Sequence, residues 1–110
     1  MSLQELTLDQ YQEFLDSQQG YSFLQTREMA TLLTKRGMTV RPMALIKDDQ
    51  VMVAGILYSL PMTGGLHMEI NSGPVIANEA YLSEFYQLLQ DFAKKNGALQ
   101  LIIKPHQTYQ

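Results

Sequence analysis

Residues 51–60, Val-Met-Val-Ala-Gly-Ile-Leu-Tyr-Ser-Leu, are apolar on both of the faces that a strand would present. A strand of that kind cannot leave either face to water, so it calls for a sheet covered on both sides. It is also far too short to cross a membrane, which takes roughly 20 apolar residues. The covering layers must come from the rest of a 110-residue chain that is 45% hydrophobic, enough for one core.

Those layers can be read from the period of the pattern. Thr7 with Gln10 three residues on is a capping-box pattern, and Tyr11, Phe14 and Leu15 follow as one apolar helical stripe, stopping near Gly20. Ser22, then Gln25 or Thr26, offers a second start, and Met29, Leu32 and Leu33 recur at helical spacing until Gly37. The period then changes. Residues 39–47 and 51–60 are rich in Val, Ile, Leu and Met, and Asp48-Asp49-Gln50 between them predicts a β-hairpin. Pro42 has no donor for a ladder, so it is expected at a strand start or an edge. Residues 61–65 read as a turn. Beyond it Leu66, Met68 and Ile70 alternate with His67, Glu69 and Asn71, a half-buried strand that Ser72-Gly73-Pro74 breaks. Asn78 is placed to cap a long helix carrying Leu82, Phe85, Leu89 and Phe92, with Lys94 and Lys95 in its last turn and Gly97 after it. Residues 98–103 form a last strand, stopped by Pro105. With residues 3–8 as an extended entry, the order is βααβββαβ. The expected class is α/β (α+β): a mixed β-sheet flanked by helices.

Composition removes several functions. There is no cysteine, so a disulfide scaffold and a Cys-ligated zinc site are impossible. Eight basic and eleven acidic residues give a net charge of −3, not the basic field of a general nucleic-acid binder. No charged and apolar leader opens the chain, which reads as cytoplasmic.

Motifs for chemistry are few. His67 and His106 are far apart and make no metal-ligand spacing. His67 and Glu69 share a strand face and can pair, with a surface ion pair the plainer reading and acid–base work the sharper one. No Gly-x-Ser-x-Gly elbow is present. The glycines form neither a Gly-x-Gly-x-x-Gly nor a Walker pattern, and a Gly-rich pyrophosphate loop of the kind acetyl-CoA users need is missing. Lys35-Arg36 before Gly37 can meet an anion at a cleft rim, or simply complement the helix dipole. Met29, Met52 and Met68 lie at core-facing spacing.

The segment Met62-Thr63-Gly64-Gly65-Leu66-His67-Met68-Glu69-Ile70-Asn71-Ser72-Gly73-Pro74 resembles the strand-and-turn signature of the FemABX aminoacyltransferases, in particular the streptococcal MurM and MurN type. Phe23-Leu24-Gln25-Thr26 with Met29 resembles that family's F-x-Q-T/S helix start. Ala93-Lys94-Lys95-Asn96-Gly97-Ala98 with Lys104-Pro105 resembles its helix exit and next strand. The likeness runs from about Leu6 to Gln110. It implies an N-acetyltransferase-like (GNAT-like) fold, and transfer of an amino acid from aminoacyl-tRNA to the stem-peptide lysine of a lipid-linked peptidoglycan (muropeptide) precursor. It further implies work at the inner face of the membrane with peripheral membrane contact, and neither metal nor organic cofactor. Family members are several times longer. Residues 1–110 are therefore expected to be the N-terminal portion of a first acetyltransferase-like domain, without the second domain and helical arm, and inactive alone.

Relatives that bind a soluble nucleotide precursor use a helix lysine after F-x-Q for phosphate. The nearest aligned position here is Thr31, with Lys35 and Arg36 one turn later. The substrate-binding candidates are therefore Lys35 and Arg36, from their place before Gly37, and Ser72, Gly73 and Pro74, which the resemblance carries over as structural first and cleft-lining second; no catalytic residue is named. A cut sheet edge is expected to favour self-association. A non-catalytic small-molecule-binding or protein-interaction module of the same fold is the alternative, and acetyl-CoA binding a weaker third.

Overall fold

The computed structural model describes residues 1–18, 25–71 and 73–104. The expectations at Gly20, Ser22, Phe23, Leu24, Ser72, Pro105 and His106 lie outside these. In chain order the elements are β1 (Ser2–Glu5), α1 (Leu8–Asp16), α2 (Arg27–Lys35), β2 (Thr39–Lys47), β3 (Gln50–Met62), β4 (Gly65–Asn71), β5 (Val75–Ile76), a 3-10 turn (Glu79–Tyr81), α3 (Leu82–Lys95) and β6 (Ala98–Lys104).

Most local signals act as read. Thr7 Oγ1 accepts from the Gln10 amide at 3.1 Å while Gln10 Oε1 accepts from the Thr7 amide at 2.9 Å, so both halves of the capping box form. Thr26 caps α2 by accepting from the Met29 amide at 3.3 Å. At the far end of α2, Gly37 takes φ 89°, which a side chain would strain. The amides of Gly37 and Met38 then return to the carbonyls of Thr34 and Leu33, closing the helix end. Asn78 differs from the reading: it caps the 3-10 turn, by accepting from the Ala80 amide at 3.0 Å, and not the long helix, since α3 starts after Tyr81 with no side-chain cap.

The sheet runs β1-β2-β3-β4-β6, with β5 also on β3. Every pairing is antiparallel except β4 with β6, which is parallel. β3 lies in the middle and is buried on both faces, as its sequence requires. On one face Ala54 and Ile56 join Ala44 under Tyr11, Phe14, Leu15 and Ala30 of the first two helices. On the other, Val53 and Leu57 join Met43, Leu45, Met68 and Ile70 under Phe85, Leu89 and Ala93 of α3. Two small cores on a shared sheet replace the one core that composition suggests.

Three further expectations change. β3 runs on through Pro61 and Met62, and Met62 pairs with Gly65, so the turn is Thr63-Gly64 alone. Pro61 is tolerated because β2 has ended opposite Ser59 and no rung is lost on that side. Pro42 is the fourth residue of an interior strand and not at its start. Its carbonyl accepts from the Leu6 amide at 2.7 Å, so its backbone groups face the short edge strand β1, where a missing donor costs little. The α2 stripe is the third change. Ala30 is the buried residue of that helix, Met29 and Leu33 are half-buried, and Leu32 is 38% exposed. Met68 is core as expected, Met52 is half-buried, and Met43 is core without having been singled out.

Candidate functional site

The helices α1 and α2 cover only part of their face of the sheet. Their buried side chains lie over β2, β5 and the first half of β3. Towards β4 and β6 the same face carries a polar row. Counting outward from the Met62–Gly65 rung brings Tyr58 opposite Glu69. On the other side of β4 a register shift after Leu66 sets Gln100 opposite His67, skipping Leu99. Tyr58, His67, Glu69, Gln100 and Lys104 are thereby gathered on one open surface.

Their hydrogen bonds form a chain. The Tyr58 hydroxyl donates to Glu69 Oε2. His67 Nε2 lies 3.1 Å from Glu69 Oε1, and Gln100 Nε2 lies 2.6 Å from His67 Nδ1. With the Gln100 amide donating to Nδ1, the imidazole carries its proton on Nε2 and donates to the carboxylate. Lys104 Nζ stands 3.4 Å from Glu69 Oε2. The Glu69 side chain is only 8% exposed, so the pairing foreseen as a surface ion pair is instead a sheltered carboxylate with three partners. Burial works to raise its pKa. The hydrogen bonds from Tyr58 and His67 and the Lys104 charge outweigh that, and the carboxyl is held below its ordinary value. Tyr58 moves the other way, raised first by burial and then by the carboxylate beside it. The arrangement is a fixed anion at an open face, suited to receiving a primary ammonium. Among the described residues no three His, Asp or Glu side chains stand close enough to hold a metal ion.

Beside this row the sheet is held open and closed at once by Gln25. β3 pairs with β5 up to Ala54 and with β4 from Tyr58, leaving the residues between without a strand partner on that side. Gln25 fills the gap with its side-chain amide. Its Oε1 accepts from the Ile56 amide at 2.8 Å and its Nε2 donates to the Asn71 carbonyl at 2.7 Å. Its own carbonyl accepts from the Tyr11 hydroxyl at 2.7 Å. The amide group thus stands in for a peptide unit. A Cβ on Gly73 would fall 2.7 Å from Gln25 Cδ, so only glycine lets the chain pass.

Of the residues marked by resemblance, Gly73 and Pro74 are buried, joined by a cis peptide and packed around Gln25, with the Gly73 amide on the Lys104 carbonyl at 3.1 Å. Lys35 and Arg36 are exposed at the end of α2, and neither forms an ion pair among the described residues. Ser72 lies outside the described residues. Sequence reasoning picked out His67 and Glu69 but missed Tyr58, Gln100 and Lys104. Only the two-residue turn at Thr63-Gly64 gives the register that aligns Tyr58 with Glu69. The β6 partners depend on a parallel pairing that no local pattern announces.

A mixed sheet with two helices on one face and one on the other, opened where β3 passes from β5 to β4, defines an acetyltransferase-like α/β domain of the GNAT kind. Solved structures share it. A ribosomal-protein-alanine N-acetyltransferase from Brucella melitensis biovar Abortus 2308 is 17% identical, with a TM-score of 0.66 over 94% of this chain and 80% of that one. An acetyltransferase from Trypanosoma brucei is 14% identical, with a TM-score of 0.53 over 94% and 81%. FemX is 21% identical, with a TM-score of 0.75 over 93% of this chain. The chain belongs to the FemAB family, whose pattern it matches over residues 6–110. It spans 27% of the length of the FemX chain. No curated protein sequence matches it, and no described helix is long and apolar enough to cross a membrane.

Proposed function

We infer that this chain serves tRNA-dependent aminoacyl transfer to the stem-peptide lysine of a lipid-linked peptidoglycan precursor, in the manner of the MurM and MurN branch. The observation that carries the reading is the FemAB family match over nearly the whole chain. The MurM and MurN assignment rests further on the motif likeness around residues 62–74. The chain is read as the first acetyltransferase-like unit of a longer enzyme working at the inner membrane face, a reading supported by the share of FemX it covers.

The chemistry asked of the protein is modest. An aminoacyl ester is already activated. The lysine ammonium first gives up one proton to solvent; the free amine attacks the ester carbonyl carbon, the ester C–O bond breaks, and the tRNA ribose oxygen leaves as a hydroxyl with the second proton lost from that nitrogen. The enzyme must bring amine and ester together and steady the oxyanion, which needs no covalent intermediate. Glu69 is the residue suited to the amine side of that task. Its carboxylate is ionised at neutral pH, oriented by Tyr58 and His67, and covered on its outer side by the exposed Lys104 side chain. Lys35 and Arg36 remain the proposed contacts for precursor phosphate, with Ser72, Gly73 and Pro74 shaping the cleft wall.

The test is transfer of a labelled amino acid from charged tRNA to lipid-linked precursor by the full-length protein. Transfer is expected, with Glu69→Gln lowering kcat/KM at least tenfold and residues 1–110 alone inactive. Equal activity of the Glu69→Gln enzyme would remove Glu69 from the reading, and absence of transfer by the full-length protein would remove the function itself.

A further inference from the structure

Glu69 already faces a primary ammonium, and it comes from the chain itself. Lys104 Nζ stands 3.4 Å from Oε2, the same oxygen that accepts from Tyr58. The two partners differ in freedom. The Glu69 side chain is 8% exposed and that of Lys104 58%. Tyr58 grips the carboxylate from the position directly opposite it in the β3–β4 ladder and His67 from two residues earlier on β4, whereas Lys104 reaches it from the end of β6 on a four-carbon stem. An ion pair with one half so exposed contributes little, so it breaks at little cost. The carboxylate stays where it is when the lysine leaves, because its other two hydrogen bonds do not depend on Lys104.

We propose that Lys104 is a built-in competitor for the place an acceptor ammonium takes against Glu69. The acceptor enters by displacing the Lys104 side chain into solvent, while Tyr58 and His67 hold the carboxylate in position. The identity of the acceptor rests on the aminoacyl-transfer reading; the exchange rests on the geometry of the open face. Two consequences follow physically. Occupancy by Lys104 weakens apparent affinity in proportion to the fraction of protein whose carboxylate is free. A neutral side chain has no charge with which to displace it, so the site selects for an ionised amine.

The probe is Nα-acetyl-lysine methylamide, with its Nε-acetylated form as neutral control, titrated into the 110-residue chain and followed at the His67 ring protons by NMR. The charged probe is expected to shift those signals saturably and the neutral one not. Lys104→Met tightens binding several-fold, Lys104→Arg returns it towards wild type, and Glu69→Gln abolishes it. Lys104→Met alters an exposed side chain, so its result stands even if Glu69→Gln fails to fold. Unchanged or weaker binding by Lys104→Met, or equal binding of the neutral probe, overturns the proposal. Transfer assays on the full-length protein separate the two readings. The binding pattern without transfer upholds the exchange and overturns the function. Transfer with an unaltered acceptor KM in Lys104→Met overturns the exchange.

Discussion

At the scale of the residue, Glu69 shows how environment decides what a carboxylate does. Its strand position alternates with core residues, so the pattern assigns it to the polar face. Pairing then surrounds it with Tyr58, His67 and Lys104 and excludes most water. Because its folded-state pKa is depressed below the ordinary 4.5, the ionised form contributes stability at neutral pH. That contribution is complete above the ordinary value and is lost as pH falls through the lower folded value. Urea unfolding at a series of pH values is therefore expected to show a steeper loss of stability below about pH 4.5 in the wild type than in Glu69→Gln. Parallel curves for the two proteins would deny the carboxylate this role.

At the scale of the element, the weak joint of the sheet is where β3 passes from β5 to β4, and Gln25 is its substitute rung. Replacing it by leucine keeps the volume and removes the partners of the Ile56 amide and the Asn71 carbonyl at a buried position. Stranding the buried Ile56 amide costs about 1–3 kcal/mol, and Gln25→Leu is expected to lose at least about 1 kcal/mol in equilibrium unfolding. A loss under about 0.5 kcal/mol would mean that water serves the gap as well as the amide does. The helices were the most legible elements, because the capping box at Thr7 and Gln10 and the glycines after α2 and α3 act over three or four residues. Strand limits were less so. Pro61 reads as a stop until β2 is known to have ended before it, and that depends on how two strands are aligned.

At the scale of the molecule, the two-sided burial of β3 and the order of elements were open to reading, apart from the two-residue β5, and with them the fold class. β6 is an edge of the sheet among the described residues. Leu99 is 57% exposed and Ile102 36%, on a strand paired on one side with β4. Apolar side chains along an uncovered strand favour association with a like edge. The isolated chain is accordingly expected to self-associate with rising concentration in sedimentation velocity, and Leu99→Lys with Ile102→Lys to return it to monomer. A wild-type monomer across the accessible concentration range would show that the edge is already protected.

The sequence by itself determined the helices, their caps, the central strand and the family likeness. Each of these is written in residues a few positions apart, where backbone geometry alone relates them. Only the tertiary structure decided the polar row. Tyr58, Glu69, Gln100 and Lys104 come from three strands, and the last two reach Glu69 and His67 through a parallel pairing with a register shift. Gln25 likewise bridges Ile56 and Asn71 from a different part of the chain. The reason is physical. Side-chain period in a strand is two, so a shift of one rung turns a residue to the opposite face. Which carboxylate meets which ammonium is set by registers that short-range pattern does not contain.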